Sequence, residues 1–143
     1  MDTETLFGSA IRRMWSAYDA AIQSGPAKFS ACVLWIGETD AQLANNSGPF
    51  VTKVNQFISD VRADLRAPEM PFAVARLNSL MVGNTGKPSW SGIRTRILRA
   101  YMRDMVVVET EGAEFQTDKV HATTAGYQVI GDRFASALLP LML

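Results

Sequence analysis

Phe29-Ser30-Ala31-Cys32-Val33-Leu34-Trp35-Ile36 is a short, continuous apolar run of strand length, closed by the polar turn Gly37-Glu38-Thr39-Asp40. A run that does not alternate with polar residues marks a strand covered on both faces, as strands in a parallel sheet are. Upstream, between Leu6 and Ser24, the apolar residues Phe7, Ile11, Met14, Trp15, Tyr18 and Ile22 keep the three-and-four spacing of one helix face, and Gly25-Pro26 ends that helix. Downstream, a polar loop runs through Asn45-Asn46-Ser47-Gly48 to Pro49, which suits a first helical turn. Phe50, Val54, Phe57, Ile58, Val61 and Leu65 then hold helical period until Ala67-Pro68-Glu69-Met70-Pro71 breaks it.

The same alternation continues to the end of the chain. Phe72 to Leu77 reads as a second strand, with Arg76 near its exposed end. Asn78 to Ser89 carries two glycines and a proline, so it reads as a loop long enough to rim a pocket. Trp90, Ile93, Ile97, Leu98 and Tyr101 mark a third helix, whose arginines Arg94, Arg96, Arg99 and Arg103 are expected to form a solvated face. Met105 to Glu109 is a third strand, and a loop from Thr110 to His121 leads to a last helix from Thr124 to about Leu139. Its expected buried stripe is Tyr127, Ile130, Phe134 and Leu138. The order α-β-α-β-α-β-α predicts an α/β fold: three layers, α/β/α, around a short parallel sheet. One domain spanning 1–143 is expected, without repeats or linkers.

Composition narrows the function. Apolar residues are 48% and charged residues 20% of the 143, ordinary values for a globular chain. Fourteen basic residues cancel fourteen acidic ones, so no phosphate-seeking surface is implied and nucleic acid is not an expected partner. The single Cys32 allows no intrachain disulfide and no zinc cluster; no metal or cofactor is expected. No segment is apolar over a membrane-spanning length, so no membrane partner is expected. Met1-Asp2-Thr3-Glu4-Thr5 lacks the basic start of a secretory signal, which makes the cytoplasm the default location.

Chemistry concentrates at two turns. His121 is the only histidine and sits at a loop-to-helix junction, three residues after Asp118. An imidazole exchanges protons near neutral pH, and a carboxylate beside it fixes its tautomer. Ligands of open parallel sheets bind beyond the carboxyl ends of the strands, where the loop holding Asp118 and His121 and the turn Gly37-Glu38-Thr39-Asp40 both fall. A blander reading fits the same residues: Gly37 turns the chain, Glu38 and Asp40 cap loop amides, and Thr123 is a helix N-cap.

These motifs resemble a known family. Val33-Leu34-Trp35-Ile36-Gly37-Glu38-Thr39-Asp40-Ala41 is similar to the third sequence block of SGNH (GDSL-type) hydrolases, and is nearest to the carbohydrate O-acetylesterase branch that includes sialate O-acetylesterases. Asp118-Lys119-Val120-His121, followed by Thr123-Thr124-Ala125-Gly126-Tyr127, resembles the last block, and the segment Trp90 through Ile93-Arg94 resembles another part of that branch. The likeness runs from about Leu6 to the C-terminus, in order and in spacing. It implies a flavodoxin-like SGNH fold with its N-terminal strands missing, and a serine esterase acting on acylated carbohydrate or another small ester. In the family the residue aligned with His121 is the general base, and the one aligned with Asp118 orients it. The turn aligned with Gly37, Glu38, Thr39 and Asp40 borders the oxyanion hole and substrate pocket.

The sequence departs from the family in three places. The block carrying the nucleophilic serine has no counterpart; Ser9, in Phe7-Gly8-Ser9, resembles its setting, but helical period surrounds it and no strand precedes it. The block supplying an oxyanion-hole glycine is absent too. Ile36 stands where a polar residue is usual, and Thr39 stands where Ser or Asn is. A three-stranded sheet would also leave the first strand's far edge open, so a separate N-terminal chain, a second copy or upstream sequence is expected to cover it. The competing functional reading is a binding or assembly module that keeps the fold without the chemistry. An unrelated flavodoxin-like domain would need a glycine-rich phosphate turn after a strand, and the sequence has none.

Overall fold

In a computed structural model describing residues 5–100 and 102–142, the central strand is β2 (Phe72–Arg76). It is flanked in parallel by β1 (Cys32–Leu34) and β3 (Met105–Glu109), in the sheet order β1-β2-β3. Successive residues of a strand face opposite sides. Phe72 and Val74 therefore enter a core with Ile11 of α1 (Leu6–Ile22), Phe50 to Val61 of α2 (Ser47–Asp64), and Trp90 and Ile93 of α3 (Trp90–Arg96). Ala73 and Ala75 face a second core made by Val108 and by Ile130, Phe134 and Leu138 of α4 (Thr124–Met142). Small side chains on that face let α4 lie close against the sheet. The outcome is the expected three-layer α/β/α arrangement. Burying side chains such as Phe72, Ile58 or Ile130 stabilises it by about 1.5–3 kcal/mol each.

Several expectations need correction. β1 is three residues long, not eight, because among the described residues β2 is its only neighbour and the pairing is limited to Cys32–Phe72, Val33–Ala73 and Leu34–Val74. Phe29 instead packs in an aromatic cluster, with ring centroids 5.3 Å from Trp15 and 5.2 Å from Tyr18. Nor is β1 covered on both faces: α4 lies over β2 and β3, and Val33 is left 48% exposed. The far side of β1 has no neighbouring strand among the described residues.

The third helix ends at Arg96 and relaxes into a 3-10 turn, Ile97–Arg99, with Leu98 exposed; Tyr101 and residues 1–4, read as lacking a secretory signal, lie outside the described residues. Its arginines are not uniformly solvated. The Arg94 guanidinium is tucked against the end of β2, where it donates to Leu77 O at 2.5 Å and pairs with Glu111 at 3.1 Å. In α4 the expected stripe loses Tyr127, which is half exposed, and gains Gly126. The helix also runs past Leu139 to Met142, with Pro140 in its last turn. No helix among the described residues is long and apolar enough to cross a membrane.

Candidate functional site

The loop after β3 is a small hairpin rather than open coil. An antiparallel bridge joins Phe115 to Ala122, Gln116 N donates to His121 O at 2.8 Å, and Thr123 N donates to Glu114 O at 3.0 Å. At the tip, Lys119 N closes a turn onto Gln116 O at 2.9 Å, and Lys119 itself is left-handed at φ 59°. A turn followed by a left-handed residue is a common hairpin closure, usually made with Gly at that position. Thr123 Oγ1 accepts from Gly126 N at 3.1 Å, so the next helix is N-capped one residue beyond the Phe115–Ala122 bridge.

That hairpin fixes Asp118 before the imidazole meets it. Asp118 Oδ1 accepts from Val120 N at 2.9 Å and from His121 N at 3.0 Å, which leaves Oδ2 2.6 Å from His121 Nδ1. The imidazole contact first, then the two backbone amides, hold the Asp118 carboxyl down at about 2. A carboxylate that stays ionised draws the ring proton to Nδ1 and leaves Nε2 as the basic nitrogen. Both side chains are open to solvent, His121 by 66%.

The turn after β1 is made differently. Gly37 is buried at φ 118°, and a Cβ there would stand 3.0 Å from Phe50 Cζ, so glycine is required both by conformation and by space. Gly37 O accepts from Ala41 N at 2.9 Å. Asp40 accepts from Asn46 Nδ2, at its backbone oxygen (3.1 Å) and its carboxylate (3.3 Å). Gly37 and Asp40 thus frame the turn, and Asp40 and Ile36 face a neighbouring apolar depression with Phe50, Val54 and Phe57.

Glu38 and Thr39, in contrast, share with His121 an open pocket of about 330 Å³, completed by Trp35, Val120 and Tyr127. This volume suits a small ligand. The Trp35 and Tyr127 rings lie 5.3 Å apart and make the aromatic wall. Ser9 sits in the first half of α1, and no serine lines the pocket among the described residues. No cluster of three or more metal-ligating side chains occurs among them either.

Sequence reasoning missed the supports. The loop 78–89 does not rim the pocket but ties both of its sides from behind: Lys87 Nζ donates to Glu38 O at 2.6 Å, and Asn78 Nδ2 donates to Lys119 O at 3.0 Å. Arg133 Nη1 holds the base of the hairpin loop through Glu109 O (2.8 Å) and Glu111 O (2.7 Å). Gly126 lets α4 abut the hairpin, since a Cβ there would fall 2.0 Å from Glu114 O. The available sequence signals were the aromatic residues themselves: Trp35 at the end of a strand and Tyr127 directly after that glycine.

Residues 1–140 match the family model described as "Carbohydrate esterase, sialic acid-specific acetylesterase". Among solved structures, the X-ray structure of an Arabidopsis thaliana protein superposes with a TM-score of 0.80 at 19% identity, covering 99% of this chain and 55% of that one. At that identity the likeness concerns the fold, and this chain spans about half the length of the plant protein. No curated protein is significantly similar in sequence.

Proposed function

Because this chain belongs to the carbohydrate esterase, sialic acid-specific acetylesterase family, we propose that it carries the basic half of an SGNH-type site that removes O-acetyl groups from carbohydrate. The observation that supports this most is the 2.6 Å contact of Asp118 Oδ2 with His121 Nδ1 on the wall of a pocket. His121 Nε2 takes the proton of a nucleophilic hydroxyl as that oxygen attacks the acetyl carbonyl. The imidazolium then returns the proton to the departing sugar oxygen, and water repeats the sequence on the acyl-enzyme. Asp118 stays ionised throughout and holds the tautomer. The Thr39 hydroxyl and the amides of the Gly37–Thr39 bend serve as donors to the oxyanion, with Glu38 at the substrate's edge. Trp35 and Tyr127 offer flat apolar faces to a sugar ring.

The nucleophile in this proposal is a serine on polypeptide that pairs along the open side of β1, supplied by an N-terminal partner chain, a second copy or preceding sequence. The chain is then the C-terminal portion of an incomplete catalytic domain. A second reading, a binding or assembly module without chemistry, is favoured by the absence of serine from the described pocket.

Hydrolysis of an aryl acetate separates the two. The chain is assayed alone and together with the product encoded immediately upstream, each beside His121→Ala. Activity that appears on mixing and falls by about 10²–10⁴-fold in the variant supports the esterase. Binding of acetylated sugar without turnover in any mixture supports the module.

A further inference from the structure

Asn78 lies two residues beyond β2 and is only 3% exposed, with its carbonyl and both ends of its side-chain amide engaged. Its carbonyl accepts from Trp90 Nε1 at 2.7 Å, Oδ1 accepts from Leu80 N at 2.9 Å, and Nδ2 donates to Lys119 O at 3.0 Å. The side-chain amide therefore has one workable orientation. Flipped, it would set its NH2 against the Leu80 amide and its oxygen against the Lys119 carbonyl.

The bond to Lys119 acts on a single peptide unit. That unit consists of the Lys119 carbonyl and the Val120 amide, which are coplanar and point in opposite directions. Asn78 grips its oxygen, and Asp118 Oδ1 takes its N–H at 2.9 Å. Lys119 is non-glycine and left-handed, at φ 59°, a backbone conformation that its surroundings must hold in place. Rotation of the unit would remove one of the two amides that orient the carboxylate facing His121.

We propose that Asn78 is a positioning residue for the base: by locking the Lys119–Val120 peptide it aims Asp118 at His121 Nδ1. This rests on the reading of His121 as general base. No other element holds that carbonyl among the hydrogen bonds of the described residues, and the anchor comes from the sheet core rather than from the exposed hairpin.

Asn78→Asp tests it, because the replacement keeps the shape and the acceptor for Leu80 N and turns the donor to Lys119 O into a carboxylate oxygen, which also brings a charge into a buried position. His121 is the only histidine, so its ring nitrogens give one unambiguous set of NMR signals. In the parent chain, with the ring neutral, Nδ1 is expected to carry the proton and to show a slowly exchanging, strongly deshielded N–H. In the variant that resonance is expected to broaden or vanish as the Nε2-protonated tautomer rises to a comparable population. In a catalytically complete mixture kcat falls about tenfold to a hundredfold with KM little changed. A folded variant with an unaltered tautomer ratio and an intact Nδ1–H signal overturns the proposal. If the variant fails to fold, Asn78→Ser is read the same way, since its hydroxyl still caps Leu80 N but is too short to reach Lys119 O. Loss of turnover in the parent mixture, with the tautomer shift present, would count against the esterase reading and leave the positioning role standing.

Discussion

The bend after β1 lies inside the molecule and the hairpin after β3 lies on its surface, although both supply one pocket. In the first, Gly37 and Ala41 are buried, and Ser89 stitches the following loop by accepting from Asn46 N at 2.9 Å and donating its own N–H to Ala41 O at 3.0 Å. In the second, Asp118 and His121 are exposed, and their geometry comes from the hairpin's own hydrogen bonds together with the reach of Asn78. A bend built into the core is coupled to folding. A bend tethered from outside can lose its aim while the protein stays folded.

Placing the same substitution in both bends gives the largest effects. Gly37→Ala puts an L-residue at φ 118° and a methyl against Phe50 within packed surroundings, and is expected to lower the unfolding free energy by about 3 kcal/mol, read from the urea midpoint. Gly126→Ala meets a closer obstacle, the backbone oxygen of Glu114 at 2.0 Å, so the hairpin or the helix must move. A loss of at least similar size is expected there, with displaced amide resonances from Glu114 to Thr123. Hairpin resonances left in place by Gly126→Ala would break the picture of a bend tethered from outside.

The smallest effect sharpens the hairpin side. The Asp118 carboxyl carbon is expected to titrate at about 2, against about 3.9 for a free aspartate. Because the folded value is depressed, the hairpin's contribution to stability is complete above about pH 4 and is lost as pH falls through about 2. In His121→Ala the midpoint rises, since its largest cause is gone. It stays below 3.9, because the amides at positions 120 and 121 remain. A midpoint unchanged by the substitution would mean that the imidazole contact does not form in solution.

The layers were readable because they leave periodic traces. β3 was bounded correctly, and the apolar spacings of α1 and α2 placed both helices on the sheet. The parallel-sheet rule was enough to send Glu38, Thr39 and His121 to the same end. What stayed hidden has no period. Asn78 serves a carbonyl on another loop, Arg94 serves the end of β2, and Gly126 yields to a carbonyl on the hairpin; each looks like a routine loop or helix residue in the sequence. Tyr127 kept the apolar spacing of α4 yet stands half exposed at the pocket, its ring turned to Trp35 rather than to the sheet core. Within the turn after β1, no local cue separates Gly37 and Asp40, which frame it, from Glu38 and Thr39, which face outward.

The abutment of Gly126 on Glu114 makes α4 a lever with its short arm at the imidazole. The rear core of Ile130, Phe134 and Leu138 holds the long arm, although those side chains do not line the pocket. On warming, a loss of grip by this rear layer is therefore expected to disturb the Asp118–His121 pair before the sheet itself gives way.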